Sequence, residues 1–247
     1  VLDKWYAQAP RTPDGRANFV VVATAGGGLR AAYWTATVLG YVQDDTETFR
    51  RQLAGISGVS GGSLGAATFV TLLGQPSLPA SASTCTQERM KIGPYECAGQ
   101  AVLGQDFLGP TVGALLFADL IQRFLPLGFP DRAKALEQSW ERAWPRAGFP
   151  EGVWRDGAFR GLWSGSEFLP ALLLNGTHVE TGKRVITSNV MVAASPGVFR
   201  DVYDFYDLVE PGMEIRASTA AHNSARFTYV SPASTLGDQT HLVDGGY

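Results

Sequence analysis

The chain has 247 residues and a formal net charge of −3; 45% of its residues are hydrophobic and 17% charged. That balance suits one large globular domain built on a single core. The absence of a basic excess excludes the electrostatic footprint expected of a nucleic-acid binder. Sparse charge, with 13 Phe and 6 Trp, leans toward some apolar surface that meets lipid or a membrane.

In chain order, Val1–Arg16 reads as a polar lead-in, and Asn18–Thr24 (NFVVVAT) as a strand. Its unbroken β-branched run, without alternation, predicts a buried central strand of a parallel sheet. Gly26-Gly27-Gly28 follow as a turn, and Ala31–Gly40 has helical character. Asp44–Arg51 is a polar connection to a second strand, turn and helix over Leu53–Leu73, with the helix predicted over Leu64–Leu73. Gly74–Gly104 is rich in Pro, Ser, Thr and Gly and predicts a surface excursion. It carries Cys85 and Cys97, which form a disulfide or remain two free thiols; they lack the spacing of a metal site. Phe107–Phe129 is the most apolar stretch, with a helix predicted over Val112–Leu125 that is either a core helix or a lipid-facing lid. No run reaches the roughly 20 apolar residues of a membrane span.

Pro130–Trp144 predicts an amphipathic helix with Leu136, Trp140 and Trp144 on its buried face. A Gly/Trp-rich loop (Phe149–Gly165), an apolar segment (Phe168–Asn175), a hairpin-like turn (Thr177–Gly182) and a strand over residues 183–195 follow. Asn175-Gly176-Thr177 fits a glycosylation triplet that nothing else supports. Asp201–Asp207 reads as a loop, Glu214–Ala221 as a helix start, Phe227–Val230 as a short strand and Thr240–Val243 as a last strand leading into Asp244-Gly245-Gly246. The alternation of strands and helices predicts an α/β fold on a mostly parallel sheet. The expected organisation is one domain over residues 1–247, with a looser lid-like region over 75–165 and natural chain continuing past Tyr247.

Two of the glycine turns carry chemistry. In Gly58-Val59-Ser60-Gly61-Gly62 a serine sits between a strand and an apolar helix, the setting of a nucleophile elbow. The helix behind it directs unpaired N–H groups at whatever Ser60 attacks. The Gly26–Gly28 turn has neither dinucleotide nor P-loop spacing. Its N–H groups suit an oxyanion hole facing Ser60. Asp244, at the end of a late strand, can reach the same crevice and act as the base that activates the hydroxyl.

This ordered set resembles the patatin-like phospholipase family. The matching pieces are Gly26-Gly27-Gly28-Leu29-Arg30, Gly58-Val59-Ser60-Gly61-Gly62-Ser63 and Asp244-Gly245-Gly246, with family-like segments at Leu172–Ser188 and Arg216–Ala221. The likeness covers roughly residues 18–73 and 168–247. It implies a three-layer α/β/α fold and a Ser–Asp dyad acyl hydrolase without catalytic histidine, metal or cofactor. Ser60 is then the nucleophile and Asp244 the base. The N–H groups of Gly26, Gly27, Gly28 and Gly61 form the oxyanion hole, Arg30 braces the glycine loop, and Gly58 and Gly62 support the elbow. Ala31 departs from the family, which often has glycine there. The implied substrate is a phospholipid or another acyl ester. The apolar Phe107–Phe129 stretch suits contact with a membrane surface, and the compartment stays open, with a membrane-associated or cytoplasmic setting expected ahead of a secreted one. Two rivals remain. One is an α/β-hydrolase triad using Asp204 or Asp207 with His222 or His241, His178 being the third histidine of the chain. The other is a catalytically silent lipid-binding domain.

Overall fold

β-branched side chains keep few rotamers and pack well on a pleated surface, so the runs before the two glycine turns form strands. The computed structural model describes residues 2–83, 85–87, 90–125, 128–165, 167–192, 201–237 and 240–247. The N-terminal part runs α1 (Leu2–Gln8), β1 (Val20–Thr24), α2 (Gly28–Asp45), α3 (Phe49–Gln52), β2 (Leu53–Val59) and α4 (Gly61–Leu73). The middle holds α5 (Ala80–Ser83), the hairpin of β3 (Cys85–Gln87) and β4 (Met90–Ile92), α6 (Pro94–Leu103), α7 (Leu108–Gly113), a π-helical turn (Ala114–Asp119), α8 (Leu120–Gln122) and α9 (Arg132–Arg146). After a 3-10 turn (Phe159–Trp163) come β5 (Ala171–His178), β6 (Arg184–Ser188), β7 (Val202–Asp204), α10 (Ala217–Ser224), β8 (Ser234–Leu236) and β9 (Thr240–Asp244).

Seven strands form one sheet in the order β1-β2-β5-β6-β7, with β9 pairing both β5 and β8. β1–β2, β2–β5 and β6–β7 are parallel, whereas β5–β6, β5–β9 and β8–β9 are antiparallel. The sheet is therefore mixed rather than mostly parallel. The link between β5 and β6 is a tight turn, and a parallel crossover needs a dozen or more residues.

The main core lies between one sheet face (Ile56, Leu172, Leu174) and residues of α2, α4, α6, α9 and α10. Every residue of α4 is buried. α6 is held against α2 by Asp44, whose carboxylate accepts the Tyr95 and Glu96 N–H groups at 3.0 and 2.9 Å and so caps the helix start. Burial pushes the Asp44 carboxyl above its usual range, and those two N–H groups hold it back. On the other face a smaller cluster joins Trp5, Ala9, Ala54 and Phe168.

Several expectations change. β1 is an edge strand, not a central one, with Val21 58% exposed; a run with no alternation does not say whether its second face is covered. The polar lead-in contains α1, and α4 begins at Gly61, three residues earlier than its hydrophobic run. The expected surface excursion holds α6, whose Cys97, Ala98 and Val102 are buried, and a Cys85–Cys97 disulfide ties it to the β3–β4 hairpin. Phe227–Val230 is a turn, because Val230 and Ser231 N–H groups bond back to the Phe227 carbonyl. Asp201–Asp207 holds β7, and the far end of the strand read over 183–195 lies outside the described residues. Asp131 caps α9 as expected, accepting from the Lys134 N–H at 2.8 Å, and Leu136, Trp140 and Trp144 are buried.

Candidate active site

β1 and β2 run parallel, with Thr24 opposite Gly58, so their carboxyl ends open at the same edge of the sheet. The two glycine turns therefore lie side by side. A Cβ placed on Gly26 would stand 3.1 Å from the Ser60 Cβ and 3.7 Å from its Oγ. One on Gly61 would collide with the Gly28 carbonyl oxygen, so any side chain there forces the turns apart. Gly58 and Gly62 likewise sit where a Cβ would press within 2.8 Å of the Ser63 Cα and the Thr24 Oγ1.

Ser60 has φ 55° and ψ −129°, the one non-glycine residue with positive φ among the described residues. Such a conformation costs about 1–3 kcal/mol and persists only where the surroundings hold it. Here its N–H donates to both the carbonyl oxygen and the Oγ of Ser224, each at 3.1 Å, and its own carbonyl accepts from the Ser63 N–H at 3.0 Å. Its amide thus faces away from the crevice. The N–H groups of Gly27, Gly28 and Gly61 have no acceptor among the described residues. Gly61 opens α4, so the positive end of that helix adds to them.

The position of Asp244 follows from strand order. β2 runs parallel to β5 and ends with Val59 opposite Asn175; β9 runs antiparallel and ends with Asp244 opposite Gly176. The two strands meet carboxyl end to carboxyl end across consecutive residues of β5. Asp244 is 4% exposed; its Oδ1 accepts the Gly246 N–H at 2.8 Å, while Oδ2 is buried without a partner among the described residues. An unmet buried acceptor of this kind costs about 1–3 kcal/mol.

Gly26–Gly28, Ser60, Gly61 and Asp244 line one cavity of about 520 Å³. Its other walls are mostly apolar, including Leu29, Leu64, Leu108, Leu136, Trp140 and Phe227, and among the described residues Asp244 is the only charged one lining it. Arg30 is exposed and makes no hydrogen bond or ion pair among the described residues, so the brace expected of it is not there. Close glycine packing holds the loop instead.

Among the described residues no histidine lines this cavity. His222 is fully buried with Nδ1 2.9 Å from Glu137 Oε1, and His178 and His241 both stand against Glu180. Asp204 accepts the N–H groups of Val192 and Tyr206 rather than facing a histidine. Burial drives the His222 pKa down, opposed in part by its bond to Glu137. Burial resists ionisation of Glu137, but its hydrogen bond to His222 and the nearby Arg226 and Lys134 charges outweigh this and hold its pKa below the ordinary value.

Two site-forming residues escaped sequence reasoning. Asn175 fits a glycosylation triplet but uses its Nδ2 on Ser57 Oγ and the Gly58 carbonyl, at 3.1 and 2.6 Å. Ser224 has no sequence signal at all.

At the cavity mouth, Leu108 begins an apolar stretch that is largely uncovered. Leu116, Phe117 and Phe124 are 55%, 68% and 76% exposed, and none of Ala114–Asp119 is buried. Asp119 is taken up by an ion pair with Arg132. Against expectation, Pro94–Gln122 is long and apolar enough for a membrane span by length and composition, although the chain breaks between α6 and α7 and α6 packs on α2.

No family model and no curated protein matches the chain. Among solved structures it is similar to VipD from Legionella pneumophila, with a TM-score of 0.40 and 12% identity over 97% of this chain and 49% of that one. The chain thus spans about half the length of that protein.

Proposed function

We propose that this protein is a lipid acyl hydrolase of the patatin-like kind, a single three-layer α/β/α domain working through a Ser60–Asp244 dyad. The observation that carries the reading is the strained Ser60, opening with the buried Asp244 carboxylate into one apolar cavity. Asp244 Oδ2 takes the Ser60 hydroxyl proton as Oγ attacks the ester carbonyl carbon. The N–H groups of Gly27, Gly28 and Gly61, with Gly26 shaping the turn, stabilise the oxyanion. Collapse expels the alcohol, which leaves with the proton from Asp244, and the acyl group stays on Ser60. Asp244 then takes a proton from water as its oxygen attacks the acyl-enzyme, and returns that proton to Ser60 Oγ as the acyl–oxygen bond breaks and the fatty acid leaves. No metal or cofactor enters this route.

The cavity favours an acyl chain and, among the described residues, offers no cation to a headgroup, so phospholipids, lysophospholipids and simpler long-chain esters are the substrate class. The exposed face within Phe107–Phe129 adjoins the cavity through Leu108, which supports approach to a membrane surface. The disulfide favours an oxidising compartment over the cytoplasm.

Fluorophosphonate labelling tests the reading. Wild type labels, Ser60→Ala loses labelling and ester hydrolysis by at least about 10³-fold, and Asp244→Asn slows both. A folded wild type that neither labels nor hydrolyses long-chain esters would leave a lipid-binding domain.

A further inference from the structure

We infer that Ser224, at the end of α10, is a positioning residue that clamps the nucleophile turn and the aspartate loop into one geometry. The inference rests on the hydrolase reading and adds to it a residue outside the dyad and the oxyanion turn.

The hydrogen-bond directions around Ser224 Oγ follow from its neighbours. The Asn175 carbonyl oxygen, 2.5 Å away, only accepts, so the single Ser224 hydroxyl proton goes there. The Ser60 N–H, at 3.1 Å, only donates, so it takes a lone pair of Oγ. The Ser63 hydroxyl, at 2.7 Å, must therefore donate to the other. The Ser224 carbonyl oxygen accepts the Ser60 N–H at 3.1 Å and the Gly245 N–H at 3.3 Å. One fully buried residue thus joins the nucleophile, the first turn of α4, the middle strand β5 and the residue after Asp244.

Two consequences follow for catalysis. The Ser60 amide is bound on two sides by the same residue, which holds φ at 55° against its intrinsic cost and leaves the oxyanion to other donors. The distance between nucleophile and base is fixed through the same anchor, because the Asp244 loop hangs from the Ser224 carbonyl. The anchor itself is tied down: Ser218 and Thr219 of α10 donate to Glu141 and Glu137 of α9 at 2.7 and 3.2 Å, next to His222 on Glu137. α9 also supplies Leu136 and Trp140 to the cavity wall. The dyad and its pocket therefore share one rigid support.

The test compares full-length wild type, Ser60→Ala, Ser224→Ala and Ser63→Ala by fluorophosphonate labelling rate, by kcat and KM on a soluble ester, and by Tm. Ser224→Ala keeps the backbone acceptor and loses the hydroxyl. It is expected to lower the labelling rate and kcat by about 10²-fold with KM within about twofold, the size of a ~1 Å misplacement of reacting groups. Ser63→Ala removes only one partner of that hydroxyl and is expected to cost a few-fold in both. A purely structural role would lower Tm and leave the labelling rate of folded molecules unchanged, and that result overturns the inference. Should Ser224→Ala fail to fold, Ser63→Ala decides: slower labelling supports the clamp, and wild-type labelling overturns it. An inert wild type would bring down the hydrolase reading and the clamp together, whereas active wild type with unaffected variants brings down the clamp alone.

Discussion

The wall behind Ser60 and the rim in front of it are both rich in apolar residues, yet they are built in opposite ways. α4 has all of its 13 residues buried, and its glycines let neighbouring backbone come into contact with it. The rim, from Leu108 through the π-helical turn to Phe124, turns large apolar side chains to the outside. Hydrophobicity alone does not separate the two. What separates them is spacing: small residues at Gly61, Gly62, Gly65, Ala66 and Ala67 allow close packing, and the Leu-Leu-Phe of the rim does not.

That contrast predicts where a single methyl group does most harm. Gly61→Ala adds a Cβ into the Gly28 carbonyl oxygen, which must push the two turns apart. Since both are proposed to supply oxyanion donors, kcat is expected to fall by about 10²–10³-fold, measured on a soluble ester with the variant's Tm recorded alongside. Near-wild-type turnover would mean that the contact between the turns does not set the oxyanion site.

The same contrast explains what was legible in the sequence. Strand, turn and helix around Gly26–Gly28 and Ser60 could be read because local rules specify them: a β-branched run, glycines where a side chain cannot fit, then an apolar helix. Asp244 could be read from its place at a strand end, although the strand proved antiparallel to β5. The sheet's handedness of pairing depended on the short β5–β6 turn, and the edge position of β1 on what covers its second face; neither is encoded in the run NFVVVAT. Ser224 and Asn175 were invisible because their partners lie far away in the chain, at Ser60 and Gly58. Whether Phe107–Phe129 was core or surface could not be read either, since composition is the same in both cases.

The rim gives the next largest effect. Leu116→Glu with Phe117→Glu replaces two exposed apolar side chains whose insertion into lipid would each contribute about 1.5–3 kcal/mol. Binding to phosphatidylcholine vesicles, followed by co-sedimentation, is expected to weaken by about 10²-fold or more. Turnover of a soluble short-chain ester should stay as in wild type, because neither residue lines the cavity. Unchanged vesicle binding in the folded double variant would remove the membrane role from this face and leave the wall unaffected.

The smallest effect tests the support of the wall through its buried ions. His222 is fully buried and burial lowers its pKa below the ordinary 6.5, so the folded protein keeps it neutral where the unfolded chain takes up a proton. Stability from His222 is then present above pH ~6.5 and is lost as pH falls below it. Glu137, whose pKa lies below its ordinary 4.5, acts in the same direction, since its contribution is present above that value and disappears only at more acid pH. The other charged groups facing this pair are Arg226 and Lys134, which favour ionised Glu137, and Asp131, which acts on His222 against the lowering by burial. As pH falls below 6.5 the histidine is thus the group of this pair that responds first, and a full proton's difference would correspond to at most about 3–5 °C of Tm per pH unit in a chain of this size. His222→Gln can keep a hydrogen bond to Glu137 but cannot titrate. Its absolute Tm is expected to be lower, and its slope against pH in that window flatter than that of wild type. Parallel slopes in the two proteins would place the acid sensitivity elsewhere and leave α9 and α10 joined without a titrating partner between them.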